Sequence, residues 1–184
     1  TLITYDRIGV VGDYRQKTGF TIVELLIVIV VIAILAAITI VAYNGIQEQT
    51  KNTKTINAVA SWVKALRLYE ADNGSFPTQN SCLGNTNTYD GNGQCWDSST
   101  WVVNNSFLSA MSEYISPYPE PDTSQIDSIN HPDRRGGFYH RSSGGIYYIW
   151  VTLLGNPSCP AIAGLVFNSQ GSGTEGKYCR YTLE

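Results

Sequence analysis

One carboxylate, Glu24, lies at the edge of a segment that contains no other charged side chain. From Leu25 to Ala42 the only polar side chain is that of Thr39, and the next formal charge along the chain is Glu48. An ionised group is costly in the hydrocarbon core of a membrane, and ionisable residues beside such segments usually have a partner group. Glu24 is therefore the first candidate for a functional residue, and we expect it to have a partner.

The two histidines, His131 and His140, are the candidates for acid–base or nucleophilic catalysis. Neither lies beside a nucleophile-elbow pattern, and the sequence has no Gly-x-Ser-x-Gly motif. The glycine-containing stretches 91–93 and 171–173 are typical of turns and do not match a phosphate-binding loop. We therefore expect no catalytic residue and no cofactor, and we place both histidines in exposed loops or strands.

Acidic side chains between residues 120 and 133 are the candidates for a metal site. Glu120, Asp122, Asp127 and Asp133 carry the oxygen ligands that calcium prefers. Their spacing matches no calcium-ligand pattern, so we expect a solvated acidic loop and no bound metal.

The charge balance argues against nucleic acid as an obligate partner. The chain has 184 residues, a formal net charge of -3 and a pI near 5.3, so it has no basic excess. This length suits one modest domain together with one long element.

A long helix must position Glu24. As a helix, residues 25–42 cover about 27 Å, which is close to the roughly 30 Å hydrocarbon core of a bilayer. Beyond them, Ile56, Val59, Val63 and Leu66 repeat at steps of three and four residues, which predicts an amphipathic continuation. The Asp-Asn-Gly sequence at 72–74 predicts the end of the helix. We expect one helix over residues 20–72, about 80 Å long.

The start of this helix has a recognisable pattern. Gly19 ends a polar stretch, Phe20 begins the apolar one, and Glu24 is the fifth residue after the junction. The string GFTIVELL, residues 19–26, resembles the processing site of type IV prepilins and of the related type II secretion pseudopilins. The resemblance implies that a membrane peptidase cleaves between Gly19 and Phe20, that Phe20 becomes N-methylated, and that Glu24 is the family's acidic assembly residue. The alternative is a single-span anchor with a chance glutamate near one end.

The resemblance divides the chain into three parts. Residues 1–19 are a leader, residues 20–72 a helix whose first half spans the membrane or forms a filament core, and residues 73–184 the head. Arg15 and Lys17 favour a cytoplasmic leader, although Lys51 and Lys54 flank the other end of the span. Residues 69–77 resemble the helix exit of many pilins. Val41 departs from the family, since many members have a helix-kinking proline there.

The head is expected to be an antiparallel sheet. Strands are predicted at Gly137–Arg141, Ile146–Leu154, Ile162–Phe167 and Lys177–Leu183, and the short gaps between them favour antiparallel pairing. Residues 80–100 and 116–135 are expected to be loops, the second of them exposed, with a short strand at 101–103 and a short helix at 107–114. A helix packed on such a sheet gives an α+β protein that is similar to the pilin fold.

Four cysteines in an extracytoplasmic head predict disulfides. Three pairings are possible, and proximity in the sequence favours Cys82–Cys95 and Cys159–Cys179. In the chain-entropy model each such loop contributes about 3 kcal/mol. A zinc site is the disfavoured alternative, because no pair has Cys-x-x-Cys spacing.

The resemblance implies a structural function and no enzymatic one. The subunit would polymerise with itself into a helical extracellular filament for adhesion, twitching motility or DNA uptake. Its partners would be a prepilin peptidase, the inner-membrane pilus assembly machinery and membrane lipid before assembly. Its locations would be the cytoplasmic membrane, crossed once, and then the extracellular pilus. A type II secretion pseudopilin is the first alternative, and a membrane-anchored binding module that does not polymerise is the second.

Cleavage at Gly19 gives the first testable prediction. We expect the mature chain to begin at N-methylated Phe20, and Gly19→Val to block maturation because the peptidase then meets a branched side chain at the cleaved bond. Intact-mass measurement on the protein from its native cell checks both statements. A mature subunit that retains residues 1–19 contradicts them.

Overall fold

The computed structural model describes residues 19–89, 94–96, 101–123, 134–173 and 176–184, apart from the side chains of residues 41 and 42. The architecture is α+β and pilin-like, with a long N-terminal helix followed by an antiparallel sheet. A first compact unit ends at Ala42 and a second comprises Tyr43–Glu184. The elements are α1 (Ile22–Asn73), β1 (Ser81–Cys82), β2 (Gln94–Trp96), β3 (Trp101–Val102), α2 (Asn105–Met111), β4 (Gly137–Arg141), β5 (Tyr147–Leu154), β6 (Val166–Ser172) and β7 (Gly176–Leu183).

In the first unit, helix α1 is apolar on every side. By length and composition this part of α1 is able to cross a membrane, and none of its most apolar window is buried within the chain. Ile27 and Ile38, for example, are 59% and 62% exposed. Side chains of this kind need either lipid or other apolar helices around them.

In the second unit, α1 buries one stripe, as its spacing predicts. Val59, Trp62, Val63 and Leu66 are all at most 1% exposed, and they repeat at the three- and four-residue steps of one helix face. The helix ends at the predicted stop signal: Gly74 has a φ of +73°, and its N–H donates to the Glu70 carbonyl at 2.7 Å. A left-handed residue after the last turn is favourable for glycine and costly for other residues.

The main sheet has the strand order β1-β4-β5-β7-β6, and all its pairings are antiparallel. Strand β7 lies between β5 and β6, so the β5–β6 connection passes over it. The predicted strand at Ile162–Phe167 is misplaced, since β6 begins only at Val166. The reason is a turn: the Leu165 N–H donates to the Ile162 carbonyl at 3.1 Å, and Gly164 has a φ of +82°.

Two predicted loops contain more structure than expected. The stretch 80–100 includes strands β1 and β2, although residues 90–93 and 97–100 lie outside the described residues. In the stretch 116–135, the described residues pack on the helix instead of lying fully exposed. The Trp62 indole N–H donates to the Pro119 carbonyl at 3.0 Å, and the ring stacks on Tyr118 at 5.6 Å. A buried indole N–H needs an acceptor, and this segment supplies it.

The structure contains two disulfides. Cys82 is joined to Cys95, and Cys159 is joined to Cys179, which are the pairs that sequence proximity favours. Both bonds lie in the second unit: one links β1 to β2, and the other links the segment before β6 to β7.

Asn52 forms a two-sided link between α1 and the sheet. Its Oδ1 accepts the Leu154 N–H at 2.7 Å, and its Nδ2 donates to the Leu154 carbonyl at 3.1 Å. The side-chain amide therefore pairs with the last residue of β5 as a neighbouring strand would.

Asn52→Ala should destabilise the second unit. The change leaves two partly buried backbone groups without their partner, at a cost of about 1–3 kcal/mol. Asn57→Ala is the matched control, because Asn57 is exposed on the same helix and gains the same helix propensity. Denaturant unfolding of the full chain in micelles, followed by tryptophan fluorescence, measures both. Equal stability of the two variants contradicts the role of Asn52.

Candidate processing and assembly site

The first turn of α1 is closed by reciprocal hydrogen bonds between Thr21 and Glu24. The Thr21 backbone N–H and its hydroxyl each donate to Glu24 Oε2 at 2.8 Å. The Glu24 N–H donates back to Thr21 Oγ1 at 3.2 Å. This is a capping box, in which the first polar residue and the acid three positions later satisfy each other's backbone donors.

The capping box was missed at the sequence level, although the signal is present. Thr-x-x-Glu directly before an apolar run is a known helix-start signature, and Thr21–Glu24 matches it. From the sequence, Glu24 was expected only to pair with another charged group. The structure adds that the carboxylate has a local task, which is to begin the helix.

The same hydrogen bonds fix where the negative charge lies. The Thr21 nitrogen belongs to the peptide bond that follows Phe20, so Glu24 Oε2 is held one residue from the position where cleavage at Gly19 creates an amino group. Among the described residues, Glu24 Oε1 accepts no hydrogen bond, so it is available to a further donor. The arrangement therefore places a carboxylate close to the predicted new N-terminus.

Gly19 and Phe20 are open to an external enzyme. Phe20 is 90% exposed, and a Cβ added at Gly19 meets no atom of the described residues within 4 Å. Packing within the described chain therefore does not require glycine at position 19.

The other sequence candidates do not form a site. His140 lies in β4, half-buried, and stacks with Trp101 at 5.5 Å. Burial lowers its pKa, which favours the neutral ring. His131, Asp127 and Asp133 lie outside the described residues.

No metal site is formed by the described acids and histidines, since no group of three or more His, Cys, Asp or Glu among them could hold an ion. Glu120 instead accepts a hydrogen bond from the Asn85 side chain. The Asp122 N–H donates to Thr55 Oγ1 at 3.0 Å, which ties this segment to α1.

Comparison with known proteins agrees with the geometry of the helix start. Residues 14–40 match the family described as "Prokaryotic N-terminal methylation motif". The chain is 33% identical over 64 residues to type II secretion system core protein G of Aeromonas hydrophila, covering 35% of this chain and 45% of that protein. It is 32% identical over 69 residues to the protein of the same name from Vibrio cholerae, covering 38% and 47%.

A fimbrial protein is similar over a slightly longer stretch. Fimbrial protein EcpC of Eikenella corrodens is 36% identical over 77 residues, covering 42% of this chain and 50% of that protein. The matches thus span half or less of these relatives' own lengths. No solved structure matches the chain significantly.

The fold and the helix start agree with these comparisons. The chain carries the prepilin-type N-terminal methylation motif, and its described residues form an α+β, pilin-like fold. Its N-terminal part is similar to type II secretion core proteins and to a fimbrial protein.

The capping box gives a prediction about the first turn of α1. Thr21→Val removes the hydroxyl, at a cost of about 0.5–2 kcal/mol for a lost cap, whereas Thr21→Ser retains it. Amide hydrogen exchange at residues 22–24 in micelles should rise about 2- to 30-fold in the valine variant only. Thr39→Val is the control, because Thr39 Oγ1 donates to carbonyls within the same helix. Unchanged exchange in Thr21→Val contradicts the cap.

Proposed function

We propose that this chain is the structural subunit of a type IV pilus. Its leader is removed after Gly19 by a prepilin peptidase, Phe20 is N-methylated, and α1 polymerises with copies of itself into an extracellular filament. Before assembly the subunit is held in the cytoplasmic membrane by residues 25–42, where lipid surrounds its apolar side chains. Assembly machinery of the inner membrane then extracts it.

The observation that carries this proposal is the position of the Glu24 carboxylate. Its Oε2 is held by Thr21 at 2.8 Å, beside the site of the future amino group, and its Oε1 accepts no hydrogen bond from the described residues. A protonated amino group on Phe20, of the same chain or of a neighbour, satisfies that carboxylate. An uncharged glutamine can form the same capping box, so the cap alone does not call for a charge at this place.

The energetics of the Glu24–Phe20 pair favour a role in setting the register between subunits more than a role in holding the subunits together. Two unit charges at about 4 Å and an effective dielectric of about 20 attract by about 4 kcal/mol. Burying both ions costs several kcal/mol each, so the net gain is smaller. An unpaired Glu24 is penalised, and a subunit is accepted only where its carboxylate and terminus find partners. Contact between apolar helices supplies most of the cohesion.

The names of two relatives favour a second candidate. Both are called type II secretion system core protein G, so the same subunit chemistry in a short periplasmic pseudopilus is the alternative. The two candidates share cleavage, methylation and polymerisation. They differ in where the filament is found.

Substitution of Glu24 tests the assembly role. Glu24→Ala removes both the charge and the cap, whereas Glu24→Gln keeps a side chain that can form the capping box and removes only the charge. We expect both variants to be cleaved and inserted normally but strongly depleted from filaments. The measurement is the ratio of subunit in the sheared extracellular fraction to subunit in the membrane fraction.

The control for Glu24 is an acid in the head, and three outcomes would each reject a part of the proposal. Glu113→Gln is the matched control, because Glu113 is an exposed acid in the head. A normal filament yield from correctly cleaved Glu24→Gln shows that only the cap matters and rejects the charge role. Wild-type filaments confined to the periplasm favour the pseudopilus. Absence of any filament from properly processed wild-type subunit favours a non-polymerising binding module.

A further inference from the structure

An open concavity of about 320 Å³ lies on the second unit, away from the processing site in sequence and chemistry. Its lining residues come from the residue before β1, from β3, from the segment after β3 and from β4. They are Asn80, Trp101, Val102, Asn104 and Phe138. The volume lies at the lower end of the range for small-molecule sites, which combine apolar walls with a few fixed polar groups.

The apolar wall is a stack of aromatic rings. The Trp101 and Phe138 rings are nearly parallel, with an interplanar angle of 11° and centroids 3.7 Å apart. Trp96 meets Trp101 edge-on at 4.5 Å, so the indole is held from two directions. A rigid aromatic wall offers contact area at little cost in conformational entropy.

Two asparagine side chains are locked in one orientation at this concavity. Asn80 Oδ1 accepts the Arg141 backbone N–H at 2.7 Å. Asn104 Oδ1 accepts the backbone N–H groups of Ser106 and Phe107 at 2.9 and 3.2 Å. Since only the oxygen of an amide accepts from an N–H, both assignments are fixed by their donors.

The fixed oxygens leave two NH₂ groups as donors. Among the described residues, neither Asn80 Nδ2 nor Asn104 Nδ2 donates a hydrogen bond. A ligand with two acceptor oxygens on its rim satisfies them. Each asparagine is therefore already oriented before a ligand arrives, which lowers the entropic cost of binding.

The lining residues carry no charge, which restricts the ligand further. Arg141, the nearest arginine along β4, has its guanidinium over the Tyr147 ring at 5.8 Å. A phosphate or carboxylate ligand would find no ionic partner among the five lining side chains. A neutral ligand with one apolar face and hydroxyl oxygens around its rim fits all three features.

We propose that this concavity, which we call the Asn80–Asn104 site, binds a neutral pyranose sugar. The C–H face of the ring packs on the aromatic wall formed with Trp101. Two sugar oxygens accept hydrogen bonds from Asn80 Nδ2 and Asn104 Nδ2. The site is separate from Glu24, so it gives the head a binding function that does not depend on polymerisation.

The test uses the full chain in zwitterionic micelles, because glycosidic detergents would compete for the site. The probes are methyl β-glucopyranoside, methyl β-galactopyranoside and N-acetylglucosamine, with glucuronate as the charged comparator. The readouts are the side-chain amide NMR signals of the two asparagines and saturation transfer to the sugar ring. At least one neutral probe should shift both signals saturably and bind more tightly than glucuronate.

Two variants isolate the donors while keeping the fold. Asn80→Ser and Asn104→Ser retain an oxygen acceptor, and serine is as good a helix cap as asparagine at position 104. Each should weaken binding about 2- to 10-fold, the effect of one lost hydrogen bond. Asn57→Ser, on the exposed face of α1, should leave binding unchanged.

A third variant tests the site without touching either amide. Val102→Lys, at a side chain that is 37% exposed, should abolish binding by filling the concavity and adding charge. The proposal is overturned if no neutral probe shifts the two amides, if glucuronate binds more tightly, or if folded Asn80→Ser, Asn104→Ser and Val102→Lys all bind like the wild type. Filament yield is measured in parallel, and its loss or retention does not bear on sugar binding.

Discussion

The structure depends on how one helix, α1, removes its apolar side chains from water, which its two parts do in different ways. Up to Ile40, α1 presents exposed apolar side chains in all directions, and water is a poor solvent for every one of them. From Tyr43 onward one stripe is buried, and the sheet, α2 and the segment around Tyr118 cover it. The first requirement can be met by lipid or by other copies of the helix, whereas the second is met within the chain.

The difference between the two parts of α1 explains why Glu24 indicates a function. In the second unit, polar groups find partners by folding, as Trp62 does with Pro119 and Asn52 with Leu154. Among the described residues of the first unit, only Thr21 donates hydrogen bonds to the Glu24 carboxylate. The other oxygen of that carboxylate therefore needs a donor from outside the described residues. The apolar side chains of the same part of α1 also need contacts from outside the chain. Both features agree with the proposed assembly of this helix with copies of itself.

Much of this could be predicted from the sequence because the signals are local. The helix and its end follow from apolar spacing and from Asp72-Asn73-Gly74, and the processing motif is contiguous. The strand at Ile162–Phe167 was misplaced because a turn lies at the start of this segment. Arg67 stabilises the turn, since its Nη2 donates to the Gly164 carbonyl at 2.8 Å. Local sequence spacing does not predict a contact between residues so far apart in the chain. The Asn80–Asn104 site could not be predicted either. It combines residues from three segments that only the fold brings together.

The position of β7 constrains the order in which the protein can fold during synthesis. Among the strands that the structure describes, β6 has no neighbour except β7, yet β6 is made first. Its edge toward β7 stays unpaired until residues 176–183 have been synthesised. The bond between Cys159 and Cys179 is subject to the same delay. During synthesis there is thus a defined interval in which β6 has an unpaired edge and Cys159 has not yet met its disulfide partner.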